Sequence, residues 1–360
     1  MSIPQYFSAT YSEARQKFLK ACEKRGLVVE NNLNPNAKGR EGEELYMDVA
    51  RLGPEDASKV LFVSSGTHGG EGFCGSGIQV ALLEQNYLES LPEDVAVVFI
   101  HAINPYGFSH VRRVNEDNID LNRNFRDFSE PLPDNGAYQE VHDMIVPADW
   151  DGPAREAAEK AIEAYIQKNG MPKYQAAVSG GQYIKPNGIF YGGSKPAWSN
   201  ETLRAVTAKH AGNAAHVALL DIHTGLGPYG YGELIYVGDL DGIDRAMEWY
   251  DGEVTSHETG TSSSAPVTGT MNKGITESVP NATNTCVAIE YGTLELMEVL
   301  NSLRADNWLY AYGDVDSELG QKIKKQVRDA FYCDADDWKE MVWKRGIETI
   351  EKAIKGLAKS

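Results

Sequence analysis

Apolar residues recur along this chain with two periods, and the alternation between the periods predicts the fold class. Residues 60–64 and 95–103 are nearly unbroken apolar runs rich in β-branched side chains, the pattern of strands buried on both faces. Segments 216–222, 233–237 and 286–290 predict three further strands. Helical spacing appears over 77–85, where Ile78, Val80, Ala81, Leu82 and Leu83 fall together. It returns over 153–168, which Asn169-Gly170 ends, and over 202–209, with Ser199 or Asn200 as the expected cap. From about Leu294 onward the pattern is mostly helical, with Trp308, Trp338 and Trp343 as packing residues. Residues 1–27 read as a polar, helix-like start, and the Thr-, Ser- and Gly-rich stretch 255–280 as a long loop. Strands alternating with helices predict an α/β fold with a mostly parallel or mixed central sheet and helices on both faces. With neither an internal repeat nor a linker, residues 1–360 are expected to form a single domain.

Composition narrows the function classes. A chain of 360 residues with 42% apolar content can bury a sizeable core. Its 34 basic and 52 acidic residues leave a net charge of −18, which argues against nucleic acid or an anionic membrane as partner. No apolar run reaches the roughly 20 residues of a membrane span. The first residues lack the apolar core of a secretory signal, so a cytoplasmic location is expected. Cys22, Cys74, Cys286 and Cys333 are far apart and form no C-x-x-C pair, so they are read as free thiols.

The chemistry gathers at strand ends. The run Leu61-Phe62-Val63-Ser64-Ser65 leads into a glycine-rich turn carrying His68 and Glu71, ligand types that zinc accepts. His223 ends the 216–222 run, and Glu290 ends the 286–290 run. In open α/β sheets ligands bind beyond the carboxyl ends of the strands, so these side chains converge if the strands are neighbours. His68, Glu71 and His223 would leave a fourth metal position for water, and Glu290 is the candidate carboxylate to move its proton. His101 and His110 are rival ligands without an acidic partner nearby in sequence. The role of Asp221 stays open, Cys74 lacks a second thiol, and His257-Glu258 is read as solvated. A polar segment from Arg113 to Phe125 packs Asp120, Asn122 and Arg123 together, and a guanidinium fork beside an amide suits a carboxylate.

His68-x-x-Glu71, the block Arg113…Asp120-Leu121-Asn122-Arg123-Asn124-Phe125, Asp221-x-His223 and Ile289-Glu290 follow one another over about 220 residues. In content and order this set resembles the zinc metallocarboxypeptidase family, of the carboxypeptidase A-like superfamily. Within it the chain looks more like a little-characterised cytoplasmic, bacterial-type branch, related to the succinylglutamate desuccinylase/aspartoacylase branch. The resemblance implies one zinc per chain on His68, Glu71 and His223, with Glu290 as general base and acid. It implies that Arg113 polarises the scissile carbonyl, that Asn122 and Arg123 hold a terminal carboxylate, and that Asp120 orients His68. The expected substrate is a peptide or an N-acyl amino acid with a free carboxylate. A zinc N-acyl-amino-acid deacylase or amidase is the alternative activity, and a non-catalytic zinc-binding relative a second. The chain departs from the family in lacking a tyrosine between residues 254 and 280; Tyr229, Tyr231 and Tyr291 are nearby but do not align with the family's mobile tyrosine.

Overall fold

The computed structural model describes residues 2–257, 259–262 and 267–360. Among these residues there are eight strands: β1 (Val29–Leu33), β2 (Tyr46–Leu52), β3 (Lys59–Ser65), β4 (Val95–His101), β5 (His216–Tyr229), β6 (Gly232–Tyr236), β7 (Val254–Ser256) and β8 (Thr283–Gly292). They form one mixed sheet in the order β1-β2-β4-β3-β5-β8-β6-β7. The central strands β4, β3, β5 and β8 run parallel, while β2 and β6 pair antiparallel to their outer sides. The central runs are the ones whose unbroken apolar character was legible. β1 and β2 were not anticipated, because Glu30, Asn31, Asn32, Asp48 and Arg51 interrupt the apolar pattern. Asp48 is nevertheless buried, and it is satisfied by Arg15 Nε at 2.7 Å and Asn31 Nδ2 at 2.5 Å.

The helices are α1 (Tyr11–Lys24), α2 (Gly72–Glu84), α3 (Pro105–His110), α4 (Gly136–Ile145), α5 (Pro153–Asn169) and α6 (Met171–Ser179). They continue with α7 (Trp198–Ala211), α8 (Ile243–Trp249), α9 (Asn272–Thr276), α10 (Leu296–Tyr312), α11 (Glu318–Phe331) and α12 (Asp336–Lys359). No helix among the described residues is long and apolar enough to cross a membrane. The start of α7 differs from expectation. Its cap position is Ala197, and Asn200 lies inside the first turn, where its amide donates to Asn124 O at 2.9 Å. The stretch 255–280 is also not one loop, since it contains the end of β7 and all of α9.

Side chains alternate across the sheet with period two, and this decides which residues meet. Leu61, Val63, Phe99 and Leu220 pack on one face against Phe18, Ile78 and Trp338 of α1, α2 and α12. Phe62, Val98, Leu219 and Cys286 face the other way, toward Leu203 and Val206 of α7 and Ile275 of α9. Full burial of one such side chain is worth about 1.5–3 kcal/mol, so each face strongly fixes strand register. The same alternation puts Asp221 and His223 on the face of Leu219, and Glu290 on that of Cys286. In register, His223 stands directly opposite Glu290 on the neighbouring strand. A third cluster joins α4, α5, α6, α10 and α11 through Tyr138, Ile162, Tyr174, Leu303 and Val327. The four cysteines are free, and Cys22, Cys74 and Cys286 are buried.

Candidate active site

The turn after β3 is shaped by backbone contact. A Cβ at Gly69 would lie 1.9 Å from the carbonyl carbon of Gly107, so only glycine lets this turn seat on α3. The 3₁₀ turn Gly69–Glu71 follows, and His68 and Glu71 emerge at its two ends, both buried. His223 reaches the same point from β5.

The three residues form a group whose candidate ligand atoms all lie within 4.8 Å of one another. His68 Nδ1 is 2.9 Å from Glu71 Oε1, and His223 Nδ1 is 2.9 Å from Glu71 Oε2. The other ring nitrogens face carboxylates: His68 Nε2 lies 3.3 Å from Asp120 Oδ1, and His223 Nε2 lies 2.5 Å from Asp221 Oδ2. A neutral imidazole has one N–H. If that N–H donates to the outer carboxylate, the inner Nδ1 turns a lone pair toward Glu71, and two acceptors then face each other. Such a pairing requires a cation between them, a proton or a metal ion, so the donor set fits a metal. Although burial alone would push the Glu71 carboxyl up, the two imidazoles hold it well below the usual carboxylate range. Burial would lower His223, but Asp221 and Glu71 keep its imidazole well above the ordinary value.

Glu290 enters from β8 beside His223. Its Oε1 accepts the Leu226 N–H at 3.0 Å, and the side chain is half-buried. Burial, then the negative charge of Glu71, pushes its carboxyl up to about 7. That is the range in which a carboxylate can both accept and return a proton near neutrality.

The polar segment expected to be a carboxylate site is largely buried, with Asn115, Asn118, Asp120, Arg123 and Asn124 all enclosed. Arg113 Nε donates to Asp120 Oδ2 at 2.9 Å, and Nη1 lies 3.4 Å from Glu71 Oε1. Burial opposes the charge on Asp120, but Arg113, Arg123 and His68 hold it well below the usual carboxylate range. Asn122 Oδ1 accepts from Met271 N at 2.8 Å, which leaves Nδ2 as the group able to donate elsewhere. Arg123 donates to Asn122 O at 2.8 Å and to Ser179 O at 2.6 Å, and its Nε is buried with no partner among the described residues. The three donor residues, Glu290, Arg113, Asn122 and Arg123 all line one cavity of about 560 Å³.

Other sequence expectations resolve differently. His101 shares the face of Phe99, away from the cavity; its Nε2 is 2.8 Å from Ser76 Oγ and its ring stacks on Phe18. His110 contacts Lys38 O at 3.0 Å. Neither rival belongs to the donor set. His257, read as solvated, is half-buried and lines the cavity, while Glu258 lies outside the described residues. Tyr229 and Tyr231 are exposed, and Tyr291 is buried with its hydroxyl donating to Val342 O at 2.9 Å; none of them lines the cavity. The tyrosines that do are Tyr174 and Tyr236. Sequence reasoning also missed Phe190, whose ring lies 5.1 Å from the Arg113 guanidinium carbon and 5.5 Å from that of Arg123. Its left-handed backbone, φ 54°, left no signal in the sequence.

No curated protein matches the chain in sequence. Among solved structures, bovine thrombin-activatable fibrinolysis inhibitor in complex with tick carboxypeptidase inhibitor superposes with a TM-score of 0.51 at 12% identity, over 98% of this chain and 98% of that one. Carboxypeptidase A from Helicoverpa armigera gives 0.49 at 13% identity, over 89% of this chain and 74% of the other. An aspartoacylase family protein from Mesorhizobium loti gives 0.35 at 16% identity, over 81% and 68%. The fold is thus carboxypeptidase-like, as the motif order led us to expect. A family profile described as "Protein of unknown function (DUF2817)" matches residues 7–345, and the chain belongs to that family.

Proposed function

We propose that this chain is a zinc hydrolase that cleaves an amide bond next to a free carboxylate, a reaction of metallocarboxypeptidase type. The observation that carries this reading is the convergence in one cavity of a His-Glu-His donor set, a carboxyl raised to about 7 and a pair of arginines with an amide. His68, Glu71 and His223 would hold the ion. Zinc in such a set lowers the pKa of a water to about 7 and polarises a carbonyl.

The remaining work falls to the chain's own side chains. Glu290 takes the water proton and returns it to the leaving amine. Arg113, fixed by Asp120, donates to the carbonyl oxygen as negative charge develops there. Asn122 Nδ2 and the Arg123 guanidinium hold the substrate carboxylate. Asp120 and Asp221 orient the two imidazoles. A deacylase acting on N-acyl amino acids would use each of these groups in the same way.

The reading is tested with matched peptides that differ only in a free or an amidated terminal carboxylate. Amidation should cost about 2–5 kcal/mol in kcat/KM, the scale of leaving a buried charge unpaired. Arg123→Ala should remove the difference. Equal cleavage of acid and amide by the unmodified enzyme would replace this reading with an endopeptidase or a general amidase.

A further inference from the structure

The cavity extends from the donor set between two helices. Met171, Tyr174 and Val178 of α6 stand three and four residues apart, so they share one helix face. Leu296, Leu300 and Leu303 do the same on α10, which begins six residues after Glu290. All six line the cavity, and no charged residue of either helix does. At the mouth Met171 is 37% exposed and Leu296 38%, whereas Val178 and Leu303 deeper in are 1% and 8% exposed. Two facing apolar stripes open to water form a slot that gains free energy only when an apolar group fills it. Around β6 and α9 the lining is mixed, with Asp239, Asn272, Lys273 and Thr276 beside Ile235, Tyr236 and Val237. Asn122 is tied to α9 by accepting from Met271 N at 2.8 Å, whereas Arg123 donates to Ser179 O, the last residue of α6, at 2.6 Å, so a carboxylate held by both lies between α9 and the C-terminal end of α6.

We propose that the α6–α10 slot binds a large apolar group on the carbonyl side of the cleaved bond. The substrate is then an amino acid whose amide nitrogen carries either a medium-to-long acyl chain or a residue with a bulky apolar side chain. This rests on the hydrolytic reading above for the orientation of the substrate. The slot itself depends only on the two helix faces.

Two series with alanine as the released residue separate the sources: N-acetyl-, N-butanoyl- and N-octanoyl-alanine, and the dipeptides Gly-Ala, Leu-Ala and Phe-Ala. In the series that matches the slot, kcat/KM should rise by about two- to fourfold per added methylene. A steeper rise among the N-acyl compounds identifies an acyl chain, and one among the dipeptides a side chain. Leu300→Gln, and independently the exposed Leu296→Gln, should flatten the rise. Calorimetric titration of N-octanoyl-alanine and Phe-Ala into zinc-loaded Glu290→Gln protein reads the slot without turnover. Binding of either that is tighter than that of its short counterpart and is weakened by Leu300→Gln supports the slot, even if nothing is cleaved and the hydrolytic reading falls. Short and long compounds that are cleaved and bound equally in both series would overturn the slot while leaving the hydrolytic reading intact.

Discussion

Asp221 Oδ2 lies 2.5 Å from His223 Nε2, and the other oxygen of the same carboxylate accepts the hydroxyls of Ser64 at 2.7 Å and Thr67 at 2.9 Å. The carboxylate is fixed from β3 and the turn after it, and in turn fixes an imidazole two residues along β5. Asp120 plays the matching part for His68, itself fixed by Arg113. Each histidine is thereby set with Nδ1 toward Glu71.

Removing either support should loosen the metal without removing a ligand. Asp221→Ala and Asp120→Ala are each expected to weaken zinc affinity by about 10–100-fold, measured by competition with a chelator of known affinity. An affinity unchanged in Asp221→Ala would mean that Ser64 and Thr67 alone define the local structure and that His223 needs no carboxylate.

Glu290→Gln keeps the side-chain shape and removes the proton acceptor. Turnover should fall by about 10²–10⁴-fold, while zinc content and substrate affinity stay close to those of the parent. Activity within a few-fold of the parent would remove Glu290 from the mechanism.

The rejected ligand His101 has a consequence for stability. Burial pushes its imidazole down from 6.5 to about 4. Between these values the unfolded chain binds a proton that the folded chain excludes. The contribution is therefore complete above about pH 6.5 and is lost as the pH falls through 4, amounting to about 3 kcal/mol. Melting curves of His101→Gln should show a weaker loss of stability than the parent between pH 7 and pH 4. Parallel curves for the two proteins would show that His101 is not held neutral.

Unbroken apolar runs located β3, β5 and β8 and placed His68 just past the end of β3. His223 and Glu290 were expected at strand ends, but β5 runs on to Tyr229 and β8 to Gly292, so both side chains project from within their strands. The adjacency of the three strands was only a condition in the sequence, because β3, β5 and β8 are separated by long crossovers; their register supplies it. Asp221 was ambiguous for a simple reason. Residues i and i+2 share a strand face, but whether the carboxylate meets the imidazole depends on its rotamer and on Ser64 and Thr67. The edge strands β1 and β2 were hidden by polar residues whose partners, such as Arg15 for Asp48, are distant in sequence. The α6 and α10 stripes had the spacing of ordinary core faces, and nothing local distinguishes a face that meets another helix from one that lines a cavity.

The central claim is that His68, Glu71 and His223 hold one zinc ion, and native mass spectrometry paired with elemental analysis tests it most directly. The purified chain should carry one zinc per molecule, and His223→Ala should lose most of it while remaining folded by circular dichroism. A parent chain that takes up no zinc when supplied with it, or a His223→Ala protein that retains zinc at the parent level, would contradict the account.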